Sequence, residues 1–304
     1  MNTITHNNAM TLHSYYIELG SGAGRIFKAF DFDDYGIPRY KYKDGLMYNI
    51  TFIGHFALYQ LSVYQRFNTL ENLKYFFKIA DWILTYGQEL DGCFFYPYQF
   101  RWQHMEPPWI SAIGQGRILS VLSRAYEISG KKKYLYTARK VLKTFEIPVD
   151  KGGLKVLFPD GKIAFEEYPK KGLPNIVLNG LITSMFGIYD LSRTPGEEKA
   201  LQLWQESITS LASNLHRYDL GYWSAYNLNG KIRHISEKGY HNLHIKQLWS
   251  LYEATGIETF RDYADRWEKC NRNFKVMFFY VLSRTYNRML RLKGFHHTKQ
   301  ATSD

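Results

Sequence analysis

Helical periodicity returns four times along this chain, each time as a pair of segments, and that recurrence limits the fold more than any single residue does. In residues 52–66 the side chains Phe56, Leu58, Tyr59, Leu61 and Val63 fall at helical spacings, and a second segment covers 70–86 and stops at Gly87. The pattern resumes over 110–128, breaks at Gly130 and continues over 134–145. It resumes again over 176–191, turns at Thr194-Pro195-Gly196 and covers 197–215; the last pair spans 243–254 and 258–271 around Thr255-Gly256. Each pair reads as a helical hairpin punctuated by turn residues. A recurrence of about 60 residues exceeds the common solenoid units, so the hairpins are expected to stand around an axis. The predicted fold is all-α: an α/α-barrel, or toroid, of about four helical hairpins with short β-ribbons in the loops between them.

Such a ring has unlike ends. One carries the short turns inside hairpins, and the other gathers the longer connections between them. Those connections (91–97, 152–169 and 218–240) are rich in Gly and aromatics, and alternation such as that in 154–158 predicts the small ribbons. Three tyrosines lie there: Tyr168 in Glu166-Glu167-Tyr168-Pro169, Tyr226 in Tyr226-Asn227-Leu228, and Tyr240 in Tyr240-His241-Asn242-Leu243-His244. All three are predicted at one mouth of the ring, on loops of a rigid scaffold, where function concentrates. A phenol can donate a proton or, ionised, accept one, so their convergence with Glu and His suggests proton transfer at carbon. With 25 tyrosines in the chain, packing accounts for many of them, and both readings stay open at this point.

The formal charge of +11, from 39 Lys+Arg against 28 Asp+Glu, favours a polyanionic partner. No zinc-finger spacing, RNP-like motif or dense Arg tract points to nucleic acid, and no GxGxxG or P-loop follows a strand to suggest a nucleotide or flavin. No cofactor and no metal are expected. Cys93 and Cys270 give no disulfide framework, and residues 1–8 carry no apolar signal core, so a reduced, cytoplasmic setting is expected. The apolar run 276–282, followed by Arg284, Arg288 and Arg291, reads as a buried C-terminal helix; membrane contact is peripheral at most. Residues 1–47 fall outside the repeat; 25–43 alternate aromatics with charges, and the segment reads as an extended arm that covers the toroid or lines its cleft. Residues 48–292 form the catalytic domain, and 293–304 a flexible tail. A homodimer is left open.

Several motifs recur in a known order: Trp109-Ile110-Ser111-Ala112-Ile113-Gly114-Gln115-Gly116, Val121-Leu122-Ser123-Arg124-Ala125-Tyr126, Phe165-Glu166-Glu167-Tyr168-Pro169, Val177-Leu178-Asn179-Gly180, Gly187-Ile188-Tyr189-Asp190-Leu191, Tyr226-Asn227-Leu228, Tyr240-His241, His244-Ile245-Lys246-Gln247-Leu248 and Tyr263-Ala264-Asp265-Arg266-Trp267. Over residues 48–270 this set resembles the C-terminal catalytic domain of the D-glucuronyl C5-epimerase family, whose members invert C5 of glucuronate in heparan-type precursors. The resemblance implies an α/α-barrel, in agreement with the hairpins, and an acidic polysaccharide or uronate-containing glycan precursor as substrate. It puts the catalytic tyrosines at Tyr168, Tyr226 and Tyr240 and the glutamate before the first of them at Glu167. Animal members carry a membrane anchor and β-rich domains upstream, and this chain is expected to be a compact microbial form. Where the family motif reads Tyr-Asp-Leu-Arg, with the arginine helping to hold the substrate carboxylate, this chain ends the motif in Asn229. Arg217 and Arg233 are the expected substitutes.

The C5 proton of a uronate lies α to a carboxylate, and its removal makes an enolate-like dianion. The site must stabilise that charge and supply a base on one face and an acid on the other. A phenol, with an ordinary pKa of about 10, needs positive charge or hydrogen-bond donors nearby to ionise near neutrality. His241, His244, Arg217 and Arg233 are the candidates. Gln115 and Asn179, polar within apolar helices, are expected to orient sugar hydroxyls or the carboxylate. Trp109 is expected as a sugar platform or a core wall. Three other functions compete: a polysaccharide lyase sharing the C5 carbanion, a glycoside hydrolase with a pair drawn from Asp91, Glu106, Glu166 and Glu167, and a non-catalytic glycan-binding protein.

Overall fold

Asn49 starts the first helix by accepting a hydrogen bond from the Phe52 amide (3.0 Å), and Asn68 ends it with a left-handed backbone that closes the last turn. This helix, α1 (Ile50–Phe67), is answered by α2 (Leu70–Tyr86). The pairing repeats as α3 (Ala112–Ser129) with α4 (Lys132–Leu142), α5 (Leu178–Ser192) with α6 (Glu198–Asn214), and α7 (Lys238–Thr255) with α8 (Glu258–Arg272). Gly130 and Gly256 stop α3 and α7 at φ 65° and 68°, a conformation that costs glycine little. The structure, a computed structural model, describes residues 15–16, 27–170, 172, 174–229, 232–273, 276, 280–282 and 285.

Among the described residues the helices form four hairpins, in which α1 packs on α3, α3 on α5 and α5 on α7, while each outer helix covers its own partner. This is an α/α-barrel. Its inner helices α3 and α5 bury nearly all their residues, polar ones included, whereas α8 buries only the stripe Phe260, Ala264, Trp267 and Cys270. The α3–α5 seam depends on glycine: a side chain at Gly116 would strike the Ser184 backbone, and one at Gly187 would strike the Gly116 carbonyl.

Residues 31–47 differ from the expected extended arm. They fold as an antiparallel meander, β1 (Asp31–Phe32), β2 (Pro38–Tyr42) and β3 (Gly45–Met47), turned at Gly36 and Gly45. Its aromatics are committed to the barrel wall: the rings of Phe30 and Tyr40 lie 5.8 and 5.3 Å from Phe52 of α1. Ribbons occupy the connections, as the alternation predicts: β4 (Gln88–Leu90) with β5 (Cys93–Phe95), and β6 (Lys155–Leu157) with β7 (Ile163–Phe165). A third sheet has the order β10 (Ile232–Ile235), β9 (Ala225–Asn229), β8 (Asn175–Val177), so it joins the connection before α5 to the one before α7.

Towards the C-terminal ends of the inner helices, Tyr15 and Tyr16 enter the barrel. The Tyr16 hydroxyl donates to Asp190 of α5, which also accepts from Nε and Nη2 of Arg124 on α3 at 3.1 and 2.9 Å. The Arg124 guanidinium lies over both tyrosine rings at 5.3 and 5.4 Å, and Ser250 of α7 donates to the Tyr16 carbonyl. One dipeptide thus ties three inner helices together. The tail at 293–304 and residues 277–279 of the apolar run lie outside the described residues; Tyr280 is buried and stacks on Trp223 at 4.4 Å, whereas Val281 and Leu282 are exposed, so the expected buried helix holds only in part. Among the described residues no helix is long and apolar enough to cross a membrane.

Candidate active site

The inner helices begin at a common end. The Thr51 amide, in the first turn of α1, donates to the Tyr98 hydroxyl (3.1 Å), and the Ala112 amide that opens α3 donates to the Glu166 carbonyl (3.1 Å). β8 runs directly into α5, and β9 pairs with it. This assembly holds Tyr168 just after β7 and Tyr226 within β9. Tyr240 differs from expectation, because α7 starts at Lys238 rather than at 243 and puts this tyrosine in its first turn. Its buried positions there are His241 and His244, so the helical stripe opens on imidazoles where an aliphatic pattern would have revealed it.

The three predicted tyrosines and Glu167 gather in one cluster. Tyr168 lies within electrostatic reach of the Glu167 carboxylate, and Tyr226 within reach of Glu167 and Tyr240. The Tyr226 and Tyr240 rings meet edge-on at 4.9 Å, and Tyr168 lies 6.3 Å from Trp109. The cluster runs from Tyr240, 38% exposed, to Glu167, 7% exposed, and so reaches from solvent into the barrel.

Burial pushes Glu167 up to about 7, against the lowering effects of the Tyr168 hydroxyl and the Arg117 charge. Its Oε2 is buried without a partner. That oxygen rests against α5 where Gly180 has no side chain, since a Cβ there would clash with it. Gly180→Ala, harmless to helix propensity, should therefore dislodge Glu167 and lower turnover by about tenfold to a hundredfold with the far-ultraviolet dichroism unchanged. Undiminished turnover would mean that the seat on α5 is dispensable.

Burial, and next the Glu167 charge, pushes Tyr168 and Tyr226 far up, and the same two causes raise Tyr240. All three are neutral phenols near neutrality, and Glu167 is the group poised to change charge. The expectation that His241 and His244 would supply positive charge is corrected here. Both are fully buried, and desolvation pulls them down to about 4 and about 3. His241 stacks on Trp223 at 3.7 Å, with Nδ1 2.8 Å from Ser224 Oγ and Nε2 3.2 Å from the Trp267 carbonyl. His244 Nδ1 lies 2.9 Å from the same Ser224 Oγ. Together they pin the start of β9 to α7, which sets Tyr226 beside Tyr240.

Gln115 is also engaged by the scaffold: its Oε1 accepts from the Tyr96 amide, and its Nε2 donates to the Phe94 carbonyl and Thr144 Oγ1 (3.0, 3.0 and 3.3 Å). Trp109 stacks on Tyr98 at 4.2 Å and donates to the Phe100 carbonyl, forming a wall beside Tyr168. Asn179 keeps a buried Oδ1 without a partner, one residue before Gly180. Arg217 donates to Asn214 (2.7 Å), whose Nδ2 donates to Asp160, and so belongs to a polar cluster at the end of α6. The backbone of Arg233 pairs with Leu228, and its side chain lies outside the described residues.

Sequence reasoning passed over two groups. Arg117 on α3 has Nε and Nη1 buried without a partner and lies within electrostatic reach of Glu167. Its only signal was a charge in a helix otherwise apolar around Gly116. Glu166, weighed above only as half of a hydrolase pair, is fully buried, accepts from the Asn175 amide (2.7 Å), and is pushed up to about 7 by burial. A carboxyl whose folded pKa exceeds its ordinary 4.5 stabilises the fold below that value, and the contribution is lost as pH rises through about 7. Glu166→Gln should flatten that segment of the stability profile and leave the variant up to about 3 kcal/mol more stable than the parent at pH 8, read by urea unfolding. Parallel profiles would contradict it.

The architecture and site define an α/α-barrel protein with a tyrosine–glutamate cluster at its mouth. A profile of the family described as D-glucuronyl C5-epimerase C-terminus matches residues 90–269, and the chain belongs to that family. A D-glucuronyl C5-epimerase of Caenorhabditis elegans is 32% identical over 212 residues, covering 63% of this chain and 34% of that protein. An uncharacterized protein of Methanocaldococcus jannaschii is 35% identical over 177 residues, 57% of this chain and 56% of that one. The chain thus spans little more than half of one of these curated relatives and a third of the other. Among solved structures, a sugar epimerase from a ruminal bacterium superposes with a TM-score of 0.59 at 13% identity, covering 83% of this chain and 68% of that one. The cellobiose 2-epimerase of Bacillus thermoamylovorans gives 0.57 at 13% identity, covering 81% and 67%. At these identities the likeness is one of fold alone.

Proposed function

We propose that the chain is a cofactor-independent C5-epimerase of uronate residues in an acidic polysaccharide or glycan precursor. The observation that carries this reading is the cluster of Glu167, Tyr168, Tyr226 and Tyr240 at one mouth, with the carboxyl poised near neutrality. Ionised Glu167 accepts the phenol proton of Tyr168 while the phenol oxygen takes the C5 proton, so no free tyrosinate need accumulate. The other face is then reprotonated by the Tyr226–Tyr240 pair, which is resupplied from solvent at Tyr240. The N-termini of the inner helices face the same mouth, and their partial positive charge favours a carboxylate and its enolate-like form. Family membership and the named activity of the nematode relative support the same reaction. A net charge of +11 suits a polyuronate, whose binding should weaken with salt.

A glucuronate-containing polymer of the heparosan type, incubated with the protein and examined by NMR, should gain iduronate with its chain length unchanged. An unsaturated product absorbing in the ultraviolet would make the protein a lyase instead. New reducing ends would make it a hydrolase.

A further inference from the structure

We propose that Arg117 grips the substrate carboxylate. The inference rests on the uronate reading above. Another buried arginine is matched: Arg124, 1% exposed, is held by Asp190 through two hydrogen bonds. Arg117 is different. Its Nε and Nη1 are sealed from solvent with no acceptor, although a guanidinium offers five N–H donors. A cation left so is costly, and an anionic ligand removes the cost.

The surroundings make room for it. Arg117 projects from α3 one turn beyond Gly114, whose missing side chain accommodates the Tyr98 hydroxyl, itself 2.6 Å from Thr51 Oγ1. Across the seam, Gly54 of α1 meets the Arg117 side chain, and a Cβ there would lie 2.8 Å from Arg117 Cβ. Glycine thus lets α1 approach α3 closely at the point where the Arg117 side chain leaves the helix. The guanidinium comes within electrostatic reach of Tyr15, Tyr98 and Glu167, and no hydrogen bond joins its buried Nε and Nη1 to any of them. On the uronate reading the reacting C5 approaches Tyr168, next to Glu167 in sequence and in reach of its charge, so the carboxylate attached to C5 falls close to this cation. A planar fork matches a carboxylate in two parallel bonds, and its hold strengthens as the carboxylate oxygens take on enolate charge. Arg217, by contrast, is engaged at the end of α6.

Arg117→Met tests this in the full chain, beside Arg117→Lys, which keeps the charge and loses the fork. A defined heparosan oligosaccharide should raise the melting temperature of the unsubstituted protein, and a neutral glucan oligosaccharide should not. Arg117→Met should melt at or above the parent without ligand, because an unpaired buried charge is gone, and should lose the uronate-dependent shift. Its KM should rise roughly thirtyfold or more, with Arg117→Lys between. A variant that melts well below the parent, or one that keeps the uronate-dependent shift, overturns the inference, as does a parent protein with no such shift. The two readings separate cleanly. Arg117-dependent uronate binding without C5 exchange leaves this inference standing and removes the epimerase reading, whereas C5 exchange with unchanged KM in Arg117→Met does the reverse.

Discussion

Tyr168→Phe should lower the rate of C5 proton exchange by about 10²–10⁴-fold while the protein folds and melts as before. The phenyl ring keeps the neighbour at Trp109 and the same burial, so packing is conserved. The lost hydroxyl is the group that lies within electrostatic reach of both Glu167 and Tyr226. Glu167→Gln should be comparably damaging, and the pH profile separates an effect on chemistry from one on structure. In the proposed mechanism the carboxylate form accepts the proton, so the parent rate should climb as pH rises through about 7 and then level off. Exchange in Tyr168→Phe within tenfold of the parent would remove this tyrosine from the reaction. A profile that falls across neutrality would remove Glu167 as the acceptor.

Asp190→Ala should cost about 3–5 kcal/mol of stability, because it strands the Arg124 charge where solvent cannot reach it. It also removes the acceptor of the Tyr16 hydroxyl, and so frees the dipeptide that ties α3, α5 and α7. The paired replacement Arg124→Met with Asp190→Leu should recover most of that loss, since apolar groups of similar size need no counter-charge. Denaturant unfolding of the single and double variants gives both numbers. A single variant within about 1 kcal/mol of the parent would show that the buried pair contributes little to the closed barrel.

The hairpins were legible in the sequence because their signal is local and aliphatic: a stripe such as Phe56, Leu58 and Leu61 predicts a helix wherever it occurs. The meander at 31–47 was less so, since aromatics alternating with charges fit an arm as well as a sheet, and only docking on Phe52 decides between them. The pairing of β8 with β9 joins residues some fifty positions apart and leaves no mark on either segment. At the mouth, residue type misled in a consistent way. A buried amide or imidazole needs a partner, but the chain does not state whether that partner is substrate or backbone. For Gln115 it is the β5 backbone, and for His241 it is Ser224 and Trp267. Arg117 was missed for the converse reason, because one arginine in a helix reads as a solvated charge until its neighbours are known to be glycines.

Solvent deuterium entering C5 is the most direct measure of the central claim. A heparosan-type polymer incubated with the protein in deuterated water should acquire deuterium at C5 of its uronates, in both epimers and without chain scission, and Tyr168→Phe should suppress the label. Binding of the polymer with no C5 label in the unsubstituted protein would contradict the account.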